Sequence, residues 1–425
     1  MDSVKIDVFK GNRLDFEVRL PGSKSITNRA FIISALAKGE TKLFNVLFSD
    51  DTKYMMKVLE KTGVDLSVDD KERIVIIKNG KKPEGDESFF VGNAGTAMRF
   101  LTSYLSLGKG KFILDGDERM RERPIGDLVN SLKALGVDIK CVYDNNCPPV
   151  EINANGVKGG ITTIAGKNSS QYLSSILMAS PYFENGVEIS VSGELASKPY
   201  VDMTLDLMNK FGVEVKNENY QKFIVNRNEY ISPEIYYIEP DASTASYFLA
   251  ATAILSGRVK ILGLGKNSIQ GDSYFANILS QMGCEVKIED DYIELSSSGE
   301  LNGIDIDMNK VPDLVPSLAV VALFAKGKTR IYNVANLRIK ESDRIKALAT
   351  EIARIGGEAV EFEDGLEIYP SNSYRGALIS TYNDHRIAMS FAIAGLKIEG
   401  IKIENPECVS KSFPEFFVYL KKIFS

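Results

Sequence analysis

The chain has 425 residues, of which 44% are hydrophobic and 25% charged, a globular composition with room for about three domains of ordinary size. Lys and Arg number 51 against 57 Asp and Glu, a net charge of −6. That excludes a broad electrostatic footprint for nucleic acid or an anionic membrane, and confines any anion site to a local cluster. The longest apolar runs, Phe248 to Leu255 and Leu318 to Ala325, are about eight residues, far short of the roughly 18 to 20 that cross a bilayer. The N-terminus MDSVKIDVFKGNRLDF has neither an apolar signal region nor a transit pattern, so a cytoplasmic location is expected. Cys141, Cys147, Cys284 and Cys408 form no CxxC pair and have no His at ligand spacing, which reads as reduced thiols without a structural zinc. There is no Trp and a single His, His385, so a histidine metal site or a Ser/His/Asp triad has one candidate residue.

Taken in chain order, one pattern recurs six times: a small or polar start, an apolar helical stretch, a Gly and an alternating strand. The copies open near SKSITNRAFIISALAKGETKLFNV, NAGTAMRFLTSYLSLGKGKFIL, SSQYLSSILMASPYFENGVEISV, DASTASYFLAATAILSGRVKIL, PDLVPSLAVVALFAKGKTRIYNV and NDHRIAMSFAIAGLKIEGIKIEN. Their glycines, Gly39, Gly110, Gly186, Gly257, Gly327 and Gly400, lie 70 to 76 residues apart, so the repeat fills the chain. Each unit except the last carries a second helix closed by Gly and a strand: TGVDLSV, LGVDIKC, FGVEVKN, MGCEVKI and IGGEAVEF. Gly just past an apolar-periodic helix is a C-cap signal, because it takes the left-handed conformation without a Cβ penalty. The sixth unit lacks this second strand, and the N-terminal strand within Ile6 to Arg19 is expected to complete it. A period near 70 is too long for the familiar solenoids, so compact domains of three units each are expected. These would be residues 1–20 with 240–425 as one discontinuous lobe and 21–239 as the other, with a ligand cleft between them.

Several first helices open on residues suited to anions: Gly22 to Ser25, Gly92 to Thr96, Asn168 to Gln171 and Asn383 to Arg386. Helix N-termini present unpaired N–H groups and a positive dipole end, although Ser, Thr, Asn and Asp are also simply good N-caps. The cations are clustered as well: Lys24 and Arg29; Arg119, Arg121 and Arg123; Lys198; Arg338, Lys340 and Arg344; Arg386 and Lys411. The run from Arg119 to Arg123 also suits a solvated face. PGSKS lacks Walker spacing and Gly263-Leu-Gly265 lacks the third glycine of a dinucleotide fingerprint, which excludes an NTPase or dehydrogenase. In LRIKESDR, Lys340 and Arg344 would share a helical face beside Glu341, a carboxylate whose protonation burial and neighbouring cations can tune. Asp313, in Val311-Pro-Asp313, stands where an N-cap or a proton-transfer group would stand.

With LPGSKSITNRA, GNAGTAMR, RERPIGDL, NSSQYL, SKPYVDMTL, DASTASYFLAA, MNKVPDLVP, NLRIKESDR, TYNDHRIAMS and KSFPEF in order along the chain, the sequence resembles the 5-enolpyruvylshikimate-3-phosphate synthase family over its whole length. The resemblance implies an α/β (α+β type) fold: a two-lobed inside-out arrangement of six βαβαββ-type units, three per lobe. It implies the shikimate-pathway transfer of enolpyruvyl from phosphoenolpyruvate to shikimate 3-phosphate, with no cofactor and no metal. Carried over by motif, Lys24, Ser25, Arg29, Ser169, Ser170, Ser197, Tyr200, Asn336 and Lys340 would hold shikimate 3-phosphate. Lys24, Gly95, Arg123, Gln171, Arg344, Arg386 and Lys411 would hold phosphoenolpyruvate, and Asn93 and His385 are counted with the substrate-binding residues. Asp313 would take the proton of the 5-hydroxyl and Glu341 would move a proton at the methylene carbon, with Lys24 a third catalytic residue.

Those substrates are mutually repelling polyanions, so the chemistry needs many fixed cations in a water-poor site. The partners expected are the two small-molecule substrates, with no nucleic acid and no membrane, acting on a monomer. One departure stands out: the family pattern NAGTAMRP usually ends in Pro where this chain has Phe100. In the first turn of a helix that exchange would shift Gly95 and alter how the pocket admits glyphosate, the inhibitor of this family. Two other readings are weighed. The related enzyme acting on UDP-N-acetylglucosamine typically carries a reactive Cys in a loop comparable to Leu114 to Pro124, and that stretch has none. A non-catalytic anion-binding protein of the same fold would have lost Asp313 or Glu341, and both are present.

Overall fold

The computed structural model describes residues 3–424. Its helices are α1 (Lys24–Leu36), α2 (Asp50–Lys61), α3 (Gly95–Ser106), α4 (Gly126–Ala134), α5 (Ser170–Ala179), α6 (Lys198–Lys210), α7 (Ala242–Leu255), α8 (Phe275–Gln281), α9 (Val315–Ala322), α10 (Arg344–Arg354), α11 (His385–Gly395) and α12 (Phe416–Phe424). The chain divides into two compact units, one spanning Gly22–Ile238 and the other joining the segment up to Pro21 with the segment from Glu239 onward.

Five four-stranded sheets repeat one topology, in which the second strand is parallel to the first and antiparallel to the fourth, and the fourth is antiparallel to the third; a sixth sheet keeps three strands of the pattern. In the Gly22–Ile238 unit, Glu87–Phe90 runs parallel to Lys109–Asp115, which pairs antiparallel with Val150–Asn155, beside Asp138–Cys141. Gly160–Ala165 begins a second such sheet with Val187–Ser192. In the third sheet the first strand comes from the far end of the unit: Ile235–Tyr237 lies parallel to Gly39–Phe44. Register is set by burial, as where Leu43 faces Val75 and Phe112 faces Ile152, all fully buried; a one-residue slip would turn these side chains to the opposite face.

The other unit closes by the same device, and here the expectation for the N-terminus needs correction. Leu14–Arg19 runs parallel to Gly257–Leu262 and so opens the fourth unit's sheet. The sixth sheet is completed instead by Ser3–Lys5, antiparallel to Lys402–Glu404. The N-terminal segment thus supplies two strands to two sheets, each register fixed by a different partner.

The two helix types of each repeat differ as their sequences do. Helices α3 and α11 are buried along their entire length, and α7 at every position but Ser243 and Leu255, the pattern of helices apolar all round. In each unit the three first helices pack on one another, α1, α3 and α5 in one and α7, α9 and α11 in the other. The second helices are amphipathic: α10 buries Arg344, Ile345, Leu348, Glu351 and Ile352, one stripe at helical spacing. Helices therefore occupy the centre of each unit, the inside-out arrangement that the resemblance implies.

The second-helix glycines are true caps. Gly63, Gly136, Gly212, Gly283 and Gly356 all have φ between 84° and 113°, and the next N–H reaches back to the helix in every case, as from Val64 to Leu59 and from Val137 to Leu132. That is the Schellman geometry.

Candidate functional site

In the Gly22–Ile238 unit, three helix N-termini are held at one level by side chains a turn or so into each helix. Arg29 of α1 lies with its guanidinium 5.1 Å from the centre of the Phe100 ring of α3 and reaches Ser174 of α5 at 3.5 Å. Its Nε donates to Thr204 Oγ1 at 2.7 Å, and its terminal nitrogens donate to the carbonyls of Ser25 and Tyr200, both at 2.9 Å. Arg29 is 2% exposed. Burial, only partly opposed by Tyr200, pushes its pKa down to about 10, and no carboxylate pairs with it among the described residues. A buried cation without a counter-charge is costly and suits an anionic ligand.

The other predicted residues of this unit gather around these termini. Ser23 caps α1, and Lys24, its first residue, meets Asp51 at 3.2 Å. Ser169 caps α5 by accepting the Gln171 N–H, and the Gln171 side chain donates to Thr96 at the start of α3. Arg123 is buried and donates to the carbonyl and the side chain of Asn93 at 3.0 and 2.7 Å. Gly95 is required there: a Cβ would lie 2.5 Å from the Arg123 guanidinium. Ser170 and Ser197 are buried, and Ser197 precedes α6 with φ 56°, a conformation uncommon outside glycine. The run from Arg119 divides: Arg119 pairs with Glu122 and Arg121 with Asp115 in partly exposed bridges, while Arg123 turns inward.

Phe100 is not in a first turn. Helix α3 begins at Gly95, so Phe100 is its sixth residue, and its effect runs through Arg29 rather than through the start of the helix.

The second unit gathers its charges differently. Asp313 lies in a 3-10 turn, Pro312–Leu314, and accepts no capping bond, so the N-cap reading gives way to an ionic one. Its oxygens accept from Arg344 at 2.9 Å and from Arg386 at 2.7 Å. Burial alone would raise this carboxyl, but Arg386, Lys340 and Arg344 together hold it far below the ordinary carboxylate range. Lys340 and Arg344 do not share a helical face: Lys340 ends a 3-10 segment in extended conformation, and α10 starts at Arg344, capped by Asp343.

Arg344, 1% exposed, also donates to Glu341 at 2.7 Å and to Asp384 at 2.8 Å. Burial would lower its pKa, but Asp384, Glu341 and Asp313 raise it above the ordinary arginine value. Glu341 is buried, and Lys411 approaches it at 3.9 Å. Asp384 caps α11 by accepting the Arg386 N–H, and His385 is fully buried with Nδ1 3.7 Å from Asp384. Asn336 leaves its buried Oδ1 without a hydrogen-bond partner among the described residues. Sequence reasoning does not single out Asp51 or Asp384, the carboxylates that hold Lys24 and Arg344; each sits beside a helix start, where acidic residues read first as caps.

Each unit thus gathers cations with hydroxyl and amide donors at helix starts, and one adds three carboxylates, Asp313, Glu341 and Asp384, in contact with its arginines. A family model described as EPSP synthase (3-phosphoshikimate 1-carboxyvinyltransferase) matches residues 8–420. A 3-phosphoshikimate 1-carboxyvinyltransferase of Aliivibrio fischeri (strain MJ11) is 47% identical over 416 residues, covering 97% of each chain. One of Marinomonas sp. (strain MWYL1) is 48% identical over 404 residues, 94% of this chain and 95% of the other. A solved EPSP synthase of Acinetobacter baumannii superposes with a TM-score of 0.81 at 27% identity, over 98% of this chain and 97% of that one. The chain belongs to the EPSP synthase family.

Proposed function

We infer that the chain is a 3-phosphoshikimate 1-carboxyvinyltransferase, which transfers the enolpyruvyl group of phosphoenolpyruvate to the 5-hydroxyl of shikimate 3-phosphate and releases phosphate. The observation that carries this reading is the pairing of Asp313 with Arg344 and Arg386 in a chain that matches the family from residue 8 to 420. In the reaction, a proton goes to the methylene carbon of phosphoenolpyruvate while the 5-oxygen bonds to its central carbon, giving a tetrahedral ketal phosphate. Loss of a methyl proton and cleavage of the carbon–oxygen bond to phosphate then restore the double bond.

Asp313 takes the 5-hydroxyl proton and Glu341 serves the carbon. Both now lie against cations. A carboxylate and phosphate arriving at Arg344, Arg386 and Lys411 would compete for those cations and leave Asp313 and Glu341 free for proton transfer. Lys24, Ser25, Arg29, Ser169, Ser170, Ser197, Tyr200, Asn336 and Lys340 hold shikimate 3-phosphate in this reading. Lys24, Gly95, Arg123, Gln171, Arg344, Arg386 and Lys411 serve phosphoenolpyruvate, and Asn93 and His385 count with the substrate-binding residues. The enzyme works as a cytoplasmic monomer without nucleic acid. The absence of nucleic acid among its partners fits the net charge of −6.

The test is phosphate release from phosphoenolpyruvate with shikimate 3-phosphate, beside an Asp313→Ala, Glu341→Ala double variant. Release by the parent alone supports the assignment. No release, or release only with UDP-N-acetylglucosamine, sinks it.

A further inference from the structure

Helix α10 carries a buried carboxylate that the reaction above does not use. Glu351 is 0% exposed, a state glutamate almost never reaches unless paired. Its Oε1 accepts from the Tyr382 hydroxyl at 2.8 Å, and its Oε2 accepts the Ser380 N–H at 3.2 Å and lies 2.8 Å from Arg354 Nε. The segment it grips is unusual. Tyr382 and Asn383 have φ of 54° and 53°, two consecutive left-handed residues, one of them bulky and aromatic. Such a backbone persists only where its surroundings fix it.

The residues that follow are Asp384, His385 and Arg386. Asp384 binds Arg344 Nε at 2.8 Å, so the turn is tied to α10 twice: at Arg344, and seven residues on at Glu351, which is two helical turns along the same face. We propose that Glu351, acting through Tyr382, is a positioning residue that sets Arg386 relative to Arg344, the two guanidinia that share Asp313 at 2.7 and 2.9 Å. The proposal rests on the reading that these arginines hold phosphoenolpyruvate. Glu351 touches no substrate; it fixes the angle at which α11 presents Arg386, and a small error there is felt by the ligand that both arginines grip.

The experiment measures KM for each substrate, and kcat, for Glu351→Gln, Tyr382→Phe, the double variant and Arg344→Lys. Glu351→Gln should raise KM for phosphoenolpyruvate about tenfold, leaving KM for shikimate 3-phosphate within about twofold and kcat within about threefold. Tyr382→Phe, which loses one hydrogen bond and keeps the ring, should raise the same KM about threefold, and the double variant should go no further than Glu351→Gln alone, because the two act in one chain of contacts. Equal changes in both KM values, a loss confined to kcat, or no change in Tyr382→Phe would overturn the proposal. Should Glu351→Gln fail to fold, Tyr382→Phe decides alone. An Arg344→Lys variant with unaltered KM for phosphoenolpyruvate would instead remove the underlying reading, and the proposal with it.

Discussion

Arg29 and Arg344 are both buried arginines, yet replacing each with Met should affect stability very differently. Burial pushes the Arg29 guanidinium down from its ordinary value to about 10, a penalty on the charged form of about 3 kcal/mol. Because the folded value lies below the unfolded one, that cost is fully present below about pH 10 and is relieved only as pH rises above it towards the ordinary arginine value. Its hydrogen bonds offset part of the cost, but their loss would orphan little. The carbonyls of Ser25 and Tyr200 also serve the helix ladders of α1 and α6, and Thr204 Oγ1 keeps Ser174 at 2.9 Å and the Tyr200 carbonyl at 3.0 Å. Met would keep the contact with the Phe100 ring.

Arg29→Met should therefore leave substrate-free stability within about 1 kcal/mol of the parent, or raise it. Arg344→Met strands Asp384, which is 0% exposed, and should cost about 3 to 5 kcal/mol. The assay is denaturant unfolding at pH 7 with and without shikimate 3-phosphate. At a hundredfold excess over its dissociation constant the ligand should stabilise the parent by about 2.7 kcal/mol and Arg29→Met hardly at all. A loss above about 2 kcal/mol in substrate-free Arg29→Met, matching that of Arg344→Met, would refute the view that this charge is kept for a ligand at the expense of stability.

Phe100→Pro places a proline inside α3, where it removes a helical hydrogen bond, and should cost about 3 kcal/mol in unfolding free energy; retention of parental stability would mean that the helix already bends there. Gly95→Ala drives a methyl group into the Arg123 guanidinium at 2.5 Å, and that buried side chain cannot move without leaving Asn93. Its KM for phosphoenolpyruvate should rise on the order of tenfold with little change in melting temperature. Asp313 is held below its ordinary value, so its ion pairs stabilise the fold above about pH 4 and are lost as pH falls further. In Asp313→Asn the decline in melting temperature below about pH 4 should be shallower than in the parent. The same variant removes a competitor for Arg344 and Arg386, so inorganic phosphate should bind it more tightly, by calorimetry in the presence of shikimate 3-phosphate, while turnover falls at least about a hundredfold.

What the sequence reveals of this fold is what local chemistry fixes. Gly63 and its four counterparts signal helix ends because left-handed geometry is nearly a glycine property, and their spacing exposes the repeat. The destination of the N-terminal strands is not local. The sequence offers one N-terminal strand near Ile6 to Arg19, whereas Leu14–Arg19 and Ser3–Lys5 form two, and only their partners, Gly257–Leu262 and Lys402–Glu404, decide which sheet each completes. The site divides in the same way. Lys24, Asp313 and Glu341 are recognisable from motif, but whether Asp313 caps a helix or binds arginines depends on where residues 31 and 73 positions further along return in space. Glu351 shows the limit most clearly: in the run ATEIAR it looks like an ordinary surface partner for Arg354, and only the return of Ser380 and Tyr382 makes it a buried anchor.

The two charge clusters also explain how one chain can store so many cations and still fold. In the unit from Glu239 onward, Arg344 and Arg386 are met by Asp313, Arg344 also by Glu341 and Asp384, and Lys411 by Glu341, so the cluster is neutralised internally. Exchanging one carboxylate at a guanidinium for a substrate carboxylate or phosphate replaces like with like, and demands far less than stripping water from a bare pair of ions. In the proposed reaction, the ion pairs that stabilise the substrate-free chain thereby become the source of its proton-transfer groups once substrate displaces them. The Gly22–Ile238 unit follows another course at Arg29, where no carboxylate stands in among the described residues and, in the proposed reading, the fold carries the cost of the charge until an anion arrives. Internal neutralisation keeps the reacting carboxylates close to the cations that orient them, whereas an uncompensated buried charge concentrates binding energy on the ligand that relieves it.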